Sequence, residues 1–403
     1  MAIDFDTQRT GGGWREPPVD EVRRSRPLLV NYCHIDSADL QVTHITERLA
    51  QWDVLILFPQ QVRDFKISFD AIRRLNPRVK ILAWVPLQGA SDPLLQTKVP
   101  PIGEGDWFSR HANGSLCIAP WGSSLMNPYA QSFGWPKAVL DYVASSVMPE
   151  GYDGVMLDCL WEEACCEDGG GGVDVNGDGK RTPEDRAAWI AAMEYLLKNL
   201  RDRYPTSIIT GNAGIPWSAQ SSYYRFSNGC MHENALGNSF NSGQWISLWN
   251  GINQAAARVE GREFLHFAMV DLQHNRTVEQ AQGATSLTTD DLRRFRLGLA
   301  TAMLRDSVYF GFSRGSCLHG QLWWFDEYDA DVGTPTGDAE ENVWGAGTWR
   351  RQFANGWVVV NASNKPITAS SPWDATDAST KARGRSFVIP SQDGRILMQS
   401  NAK

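Results

Sequence analysis

Two carboxylic acids, Asp158 and Glu233, each end a short apolar run of the chain. Asp158 closes the run GVMLD, and Glu233 closes the run GCMHE. Apolar runs without alternation predict strands that are buried on both faces of a parallel sheet. In a barrel of such strands, functional groups collect at the carboxyl ends. Two carboxyl groups that face each other there have the chemistry to cleave a glycosidic bond.

The surroundings of the two acids predict different roles for them. Hydrogen-bonding neighbours are expected to keep Asp158 ionised as the nucleophile. His232, Trp245 and apolar groups are expected to raise the pKa of Glu233, so that it donates a proton. A separation of roughly 5–5.5 Å predicts retention of configuration, and roughly 6.5–9.5 Å predicts inversion. Asp271 is the alternative to Glu233, and Asp158 is alternatively a structural carboxylate that caps a helix or holds a loop.

Further polar and aromatic side chains follow the predicted strands and are candidates for binding substrate. The chain has 17 tryptophans, several of them in segments rich in Gly, Asn, Ser and Pro. Aromatic rings on loops suit a carbohydrate cleft, because the C–H faces of sugars stack on them. The candidates for substrate binding are Asn31, His34, Asp36, Trp84, Trp161, Glu162, Asn212, His232, Trp245, Asp271 and Arg314.

The segment DVNGDGKRTPED, residues 174–185, has the spacing of a calcium loop. Such loops place oxygen ligands at positions 1, 3, 5, 7, 9 and 12, with glycine at position 6 for the sharp turn. Those ligand positions hold Asp174, Asn176, Asp178, Lys180 (through its carbonyl), Thr182 and Asp185. The segment resembles the calcium loop of dockerin modules, but no second loop accompanies it. We therefore expect structural calcium in an insert; an acidic glycine-rich turn without an ion is the alternative.

Two other function classes compete with a glycosidase. His34, His232 and His274 follow predicted strands and suggest a divalent metal site, although the first strand has no H-x-H motif. No G-x-S-x-G motif supports an esterase. The other rival is a barrel that binds carbohydrate in a tryptophan-lined cleft without cleaving it, as a phage or surface component.

Eight apolar runs alternate with segments of helical periodicity over residues 27–325. This pattern predicts an α/β fold, a (β/α)8 TIM barrel, with a doubly wound open sheet as the alternative. No G-x-G-x-x-G motif follows the first run, which disfavours the alternative. The predicted strands are 28–32, 53–58, 80–86, 154–158, 207–212, 229–233, 264–270 and 307–312, and the predicted helical segments are 65–76, 136–147, 183–200 and 289–304.

The segments outside the barrel differ in composition. Residues 1–26 predict a flexible lead-in, and 165–185 predict the insert that carries the calcium loop. Residues 326–403 predict a small, β-sandwich-like antiparallel domain. Within it, WRRQFANGWVVVNAS suggests a hairpin with N-G at its turn, and RSFVIPSQDGRILM suggests a second with D-G.

Composition excludes several partners. A net charge of −8 and a pI near 5.5 argue against nucleic acid or an anionic membrane, and no apolar run approaches the roughly 20 residues of a membrane helix. A carbohydrate substrate is the expected partner. No signal segment is evident, which leaves a cytoplasmic, phage-associated or secreted protein open. Cys33, Cys159 and Cys230 are expected to be reduced and buried. Cys165 and Cys166 are expected as free loop thiols rather than a vicinal disulfide.

Four segments together resemble a known group of proteins: LLVNYCHID, YDGVMLDCLWEE, WWFDEYDADVGTPTG and FANGWVVVNAS. They are similar to the hypothetical glycosyl-hydrolase-like barrel families over about residues 27–365. YDGVMLD resembles the strand-four motif of endo-α-1,4-polygalactosaminidases and their relatives. The resemblance implies a TIM barrel, a following β domain and carboxylate-mediated glycoside cleavage with Asp158 as the strand-four acid. A strand-six acid at Glu233 resembles the arrangement of α-galactosidase-type barrels, whereas the glycine-rich insert departs from the common pattern.

Overall fold

The computed structural model describes most of the chain from residue 27 onward. The described residues are 27–32, 41, 43–99, 107–119, 122–166, 172–233, 236, 245–271, 287–313 and 322–400. The predicted lead-in at 1–26 and Cys33 lie outside them. Within these residues, no helix is both long and apolar enough to cross a membrane.

The first ten strands and eight helices follow one another in chain order. The strands are β1 Val30–Tyr32, β2 Val54–Leu57, β3 Lys80–Pro86, β4 Arg110–His111, β5 Gly154–Asp158, β6 Val173–Asp174, β7 Ile208–Asn212, β8 Gly229–His232, β9 His266–Asp271 and β10 Val308–Ser313. The helices are α1 Ile45–Leu49, α2 Pro59–Asp64, α3 Phe69–Leu75, α4 Pro93–Gln96, α5 Ala130–Tyr142, α6 Pro183–Arg203, α7 Trp245–Arg258 and α8 Thr289–Met303.

Eight of these strands form one parallel sheet that closes into a barrel. Their order is β1-β2-β3-β5-β7-β8-β9-β10, and a parallel bridge between Leu29 and Phe310 joins the last strand to the first. This closure confirms the predicted TIM barrel and excludes the doubly wound alternative. All eight predicted strands are present, with bounds that differ by at most two residues.

Strand alternation decides which side chains face the barrel interior. A cluster made up mostly of strand residues fills that interior, including Tyr32, Trp84 and Met156. Because successive side chains on a strand point to opposite faces, the last residues of four strands and the residue that follows β8 also point inward. These are Asp158, Asn212, Asp271 and Ser313, together with Glu233, the residue directly after β8. Asn31 and His232 point outward by the same rule.

The C-terminal part of the chain forms a separate six-stranded antiparallel sheet. Its strands are β11 Glu340–Glu341, β12 Thr348–Phe353, β13 Gly356–Asn361, β14 Ile367–Asp377, β15 Arg383–Ile389 and β16 Asp393–Gln399, in the order β11-β12-β13-β16-β14-β15. The hairpin between β12 and β13 was predicted, and Phe353 pairs with Gly356 at its end.

The second predicted hairpin is wrong. β15 pairs with β14, whereas β16 inserts between β13 and β14. The Asp393–Gly394 dipeptide begins β16 and contacts α8 instead of forming a turn. The Arg296 guanidinium donates to both carboxylate oxygens of Asp393 at 2.9 Å, and a side chain at Gly394 would collide with the Arg296 carbonyl.

A small structure above the barrel joins the β3–α5 and β5–α6 connections. β4 and β6 pair antiparallel, and a disulfide links Cys117 to Cys166 with a Cα–Cα distance of 5.7 Å. The prediction of a free Cys166 is therefore wrong, because its partner lies 49 residues away in the chain. Cys159 and Cys230 are reduced and buried, as predicted.

Candidate active site

One amide group connects the two candidate catalytic acids. The Asn212 side-chain nitrogen donates to Asp158 Oδ1 at 2.9 Å and to Glu233 Oε2 at 2.8 Å. The Asn212 side-chain oxygen Oδ1 accepts from the Gly214 backbone nitrogen at 2.8 Å, which fixes the orientation of the side-chain amide. The ends of β5 and β7 and the residue after β8 thus meet at one point on the barrel rim.

Asp158 accepts further hydrogen bonds besides the one from Asn212. The Tyr32 hydroxyl donates to Asp158 Oδ1 at 3.2 Å, and the Cys159 backbone N–H also donates to the carboxylate. Cys159 has a left-handed φ of 58°, which an L-residue adopts at a cost. The Leu160 backbone nitrogen then donates to the backbone carbonyl of Asn212 at 2.8 Å. The chain therefore turns sharply over the site and holds Asp158 in place.

Both acids have raised pKa values. Burial is the main reason that the pKa of Asp158 rises to about 7, and the negative charge of Glu233 adds to it. The hydrogen bonds from Asn212, Tyr32 and Cys159 act in the opposite direction. Burial also raises the pKa of Glu233, against the hydrogen bond from Asn212. Two buried carboxyl groups this close titrate as a pair, and they hold one proton between them over a range of pH.

Asp271 and Trp84 also lie on the interior face of the barrel. Asp271 is buried at the end of β9, in register with Ser313 of β10. Trp84 pairs with Met156 in the sheet, two residues below Asp158, and its ring packs edge-on against Phe58 with centroids 5.2 Å apart. Trp84 therefore supports the floor of the site, one layer beneath the predicted substrate position.

Three predicted substrate-binding residues are not at the site. The Asn31 side chain points to the outer face of the sheet, and its neighbour Tyr32 hydrogen-bonds to Asp158 instead. His232 faces outward against Gly251 of α7, and burial lowers its pKa to about 3, so it stays neutral. Trp245 lies on α7, packs at a tilt against Trp349 of the C-terminal sheet with centroids 4.2 Å apart, and donates to Thr301. It therefore packs α7 against the C-terminal sheet.

The loop after β5 carries two further predicted residues. The Trp161 carbonyl accepts from Trp189 at 3.0 Å and from Tyr223 at 3.0 Å. Both carboxylate oxygens of Glu162 accept from Ser218, at 3.1 and 3.2 Å. These bonds brace the β5–α6 connection against the β7–β8 connection. The remaining predicted residues His34, Asp36, His274 and Arg314 lie outside the described residues.

Tyr32 is the site residue that sequence reasoning missed. It is adjacent to Asn31 in the run LLVNY, and the sequence predicted the strand but not which of the two residues faces inward. An alternation count from Val30, which lies in the interior cluster, identifies Tyr32 as the inward-facing residue.

The predicted calcium loop closes on itself through backbone N–H groups. Asp174 accepts from Gly177, Asp178 and Gly179 at 2.7–3.0 Å, and both glycines have left-handed φ. Asp185 accepts from Val175 and Asn176 with one oxygen, and from the Thr182 N–H with the other. Thr182 caps α6, which begins at Pro183 as predicted.

The acids of this loop are not gathered around one point. The carboxylates of Asp174, Asp178 and Asp185 do not all lie within 4.8 Å of one another. Among the described residues, one set of potential metal ligands lies within 4.8 Å of one another, namely His111, Cys117 and Cys166. The two cysteines of this set form the disulfide. Opposite ligands of a calcium ion at 2.3–2.6 Å lie about 5 Å apart. The donor chemistry of the loop fits calcium, and an ion is expected to draw these side chains together.

The model of a protein family, described as Hypothetical glycosyl hydrolase family 15, matches residues 74–357. The chain belongs to this family. The matched region includes Asp158, Asn212 and Glu233, and it confirms the coarser part of the resemblance seen in the sequence. The protein is thus a member of a glycoside hydrolase family. No curated protein matches the chain by sequence.

Solved structures add a likeness in fold. Amy13B of Eubacterium rectale has a TM-score of 0.53 at 11% identity, with 94% of this chain and 97% of that chain covered. The glycoside hydrolase domain of PelA from Pseudomonas aeruginosa has a TM-score of 0.41 at 14% identity, covering 72% of this chain and 96% of that chain. The likeness to Amy13B shows that this family member shares a barrel fold with that protein.

Proposed function

We propose that this protein is a retaining glycoside hydrolase that uses Asp158 as nucleophile and Glu233 as acid/base. The observation that carries the proposal is the shared donor Asn212, which brings both buried carboxylates to one point on the rim. A barrel that only binds carbohydrate has no need of two buried acids, whose mutual repulsion costs stability.

The geometry of the pair favours retention over inversion. Because one nitrogen donates to Asp158 Oδ1 and Glu233 Oε2, these oxygens lie no further apart than the sum of the two distances, about 5.7 Å. Retaining enzymes hold their carboxyl groups roughly 5–5.5 Å apart, and inverting enzymes leave roughly 6.5–9.5 Å for a water molecule. The bound of about 5.7 Å between these two oxygens therefore supports the retaining arrangement.

The hydrogen bonds favour the predicted division of roles. Asp158 accepts from Asn212, Tyr32 and the Cys159 N–H, and each of these donors stabilises its ionised form. We assign the single proton of the pair to Glu233 on the strength of these three donors to Asp158, although burial and the negative charge of Glu233 raise the pKa of Asp158 to about 7. In the first step an Asp158 oxygen attacks the anomeric carbon, while Glu233 protonates the departing glycosidic oxygen. In the second step Glu233 takes a proton from water, and that water displaces Asp158 from the sugar.

The proposed substrate class rests on the family to which the chain belongs. The proposed substrate is a polysaccharide or glycoconjugate. The segment YDGVMLD resembles the strand-four motif of endo-α-1,4-polygalactosaminidases. Polymers of amino sugars should therefore be included among the first polysaccharides tested as substrates.

Release of reducing ends from a panel of soluble polysaccharides tests this proposal. The wild type is expected to release reducing ends from at least one polymer, and the double variant Asp158→Asn/Glu233→Gln is expected to release none. If the wild type cleaves nothing on a broad panel, or if the double variant cleaves as fast, the assignment is wrong.

We also propose that residues 174–185 bind a structural calcium ion. The supporting features are the ligand spacing, the left-handed Gly177 and Gly179, and the exposure of Asp178 at the loop surface. Asp174, Asn176, Asp178 and Asp185 would hold the ion through side-chain oxygens, with Lys180 through its carbonyl and Thr182 at position 9. Its contribution would be to fix the end of the β5–α6 connection to α6.

Calcium is therefore expected to raise the melting temperature by about 3–5 °C at a hundredfold excess over its Kd. Asp178→Ala is expected to abolish this shift, because it removes one ligand but leaves the cap at Asp185 intact. Asp202→Ala, on the exposed end of α6, serves as the matched control and is expected to keep the shift. An equal shift in wild type and Asp178→Ala would contradict the proposal, as would no shift in the wild type.

A further inference from the structure

A cavity lies on the barrel rim, between the β3–α5 connection and the calcium-loop segment. Its volume is about 820 Å³, within the roughly 300–1,000 Å³ range of small-molecule sites. We call it the rim cavity; its walls include Phe108, Arg110, Tyr129, Phe133, Asp174 and Asn176. Asp158 and Glu233 are not among the residues that line it. Both connections leave the carboxyl ends of barrel strands, which is the end of the barrel that carries the candidate catalytic pair.

The walls of the rim cavity are held by covalent and hydrogen-bonded links. The Cys117–Cys166 disulfide and the pairing of β4 with β6 tie its two sides together. The buried Asn127 side chain donates to the Val175 carbonyl at 3.1 Å and accepts from the Tyr129 and Ala130 backbone nitrogens. The cavity is therefore preformed, which lowers the entropic cost of binding a ligand.

The polar side chains in these walls already have hydrogen-bond partners. Asp174 accepts from three backbone N–H groups of its own loop. Arg110 donates to the Gly114 carbonyl at 3.0 Å, and the buried His111 lies 3.3 Å from the Gly172 carbonyl. Side chains that are already engaged in hydrogen bonds, beside exposed amide and hydroxyl groups, suit a neutral polar ligand.

One wall presents aromatic rings on a strained stretch of backbone. Tyr129 is 38% exposed, and its ring lies 5.7 Å from Phe133, which in turn lies 5.0 Å from Tyr195. Gln131, Ser132 and Phe133 all have left-handed φ, at 53°, 54° and 67°. Non-glycine residues pay of order 1–3 kcal/mol each for such a conformation, and strain of this kind concentrates at binding sites. The turn exposes the polar side chains of Gln131 and Ser132 beside the rings.

We infer that the rim cavity is an accessory subsite for a neutral stretch of carbohydrate chain. This inference rests on the proposed glycosidase function. An exposed tyrosine ring offers a face for the C–H side of a sugar, and adjacent amide and hydroxyl groups offer hydrogen bonds to its hydroxyls. A polymer cleaved at Asp158 and Glu233 would extend across the same face of the barrel into this cavity.

Affinity electrophoresis in gels that contain soluble polysaccharide tests the inference. The probes are soluble starch and galactomannan as neutral polymers, chitosan as a cationic polymer and alginate as an anionic polymer. A neutral polymer is expected to retard the wild type, and Tyr129→Ala is expected to weaken that retardation roughly fivefold to tenfold, through loss of the aromatic contact. Leu75→Ala, which truncates an exposed side chain on α3 far from the cavity, is expected to behave as the wild type.

The outcomes separate this inference from the proposed catalysis. Asp158→Asn is expected to lose hydrolysis and keep the retardation, whereas Tyr129→Ala is expected to raise KM for a polymer with kcat unchanged. Retardation that depends on Tyr129 without any hydrolysis would support the subsite and overturn the catalysis. Equal retardation of wild type and Tyr129→Ala, retardation by the charged polymers alone, or no retardation by any probe would overturn the subsite.

Discussion

Asp158→Asn is expected to slow glycoside cleavage by roughly 10³- to 10⁵-fold, the largest effect of any single substitution proposed for this protein. Asparagine has nearly the same shape as aspartate, but its neutral amide is a very poor nucleophile toward the anomeric carbon. The Tyr32 hydroxyl and the Asn212 amide can still hydrogen-bond to its carbonyl oxygen. The loss should therefore appear in kcat/KM and not in the circular dichroism spectrum.

Two further substitutions serve as the control for Asp158→Asn and as the test of the competing acid. Asp202→Asn, on the exposed end of α6, is the matched control and is expected to keep full activity. Asp271→Asn tests the competing acid and is expected to lose less activity than Glu233→Gln. If Asp158→Asn retains activity within about tenfold of the wild type, Asp158 is a structural carboxylate and the mechanism is wrong. If Asp271→Asn equals Glu233→Gln, the choice of second acid is unsupported.

Glu233→Gln is expected to cost roughly 10²- to 10⁴-fold with natural substrates, because general acid catalysis is lost. The loss should be much smaller with activated aryl glycosides, whose phenolate leaving group needs no proton. Kinetics on a matched pair of natural and aryl substrates measure the difference. An equal loss on both substrates would mean that Glu233 does not protonate the leaving group.

The same substitution should change how stability depends on pH. Burial raises the pKa of both acids above their unfolded values of about 4, with Asp158 at about 7. Raised values favour the folded state at low pH, and this advantage disappears as pH rises through the folded values. Glu233→Gln removes one of the repelling charges. Its melting temperature is therefore expected to exceed that of the wild type by about 2–5 °C at pH 8, with a smaller difference at pH 5. A lower melting temperature at pH 8 would show that the pair is not under strain.

Much of the site follows from the sequence because strand ends define the rim of a barrel. The apolar runs that end at Asp158, Asn212 and Glu233 are short and buried on both faces, so their strand assignment and their meeting point could be predicted. Inward or outward direction could not be predicted equally well, because a shift of one residue reverses it. The sequence therefore does not distinguish Asn31 from its inward-facing neighbour Tyr32. It also does not show that His232 faces away from the site.

Features that depend on distant partners were harder to predict. Trp245 stands in a glycine- and asparagine-rich stretch, but its position is set by Trp349, more than 100 residues later in the chain. Cys166 could be assigned a partner only once β4 and β6 had brought Cys117 beside it. The Asp393–Gly394 pair has the sequence of a turn, yet the salt bridge to Arg296 holds it within a strand.

One hydrogen-bonded group contains both buried acids, the Asn212 amide that donates to them and the turn at Cys159. Asn212 holds both carboxylates close together, although each raises the energy of the other's charge. In the proposed mechanism, a proton shared by the pair leaves one acid ionised and the other protonated, as retaining cleavage requires.

The anomeric configuration of the first product tests this account most directly. Proton NMR of a cleavage reaction, recorded before the released sugar mutarotates, should show the same configuration as in the substrate. That result is required if Asp158 attacks the anomeric carbon and water later displaces it, as the separation of at most about 5.7 Å between the Asp158 and Glu233 oxygens predicts. A product of inverted configuration would contradict the account.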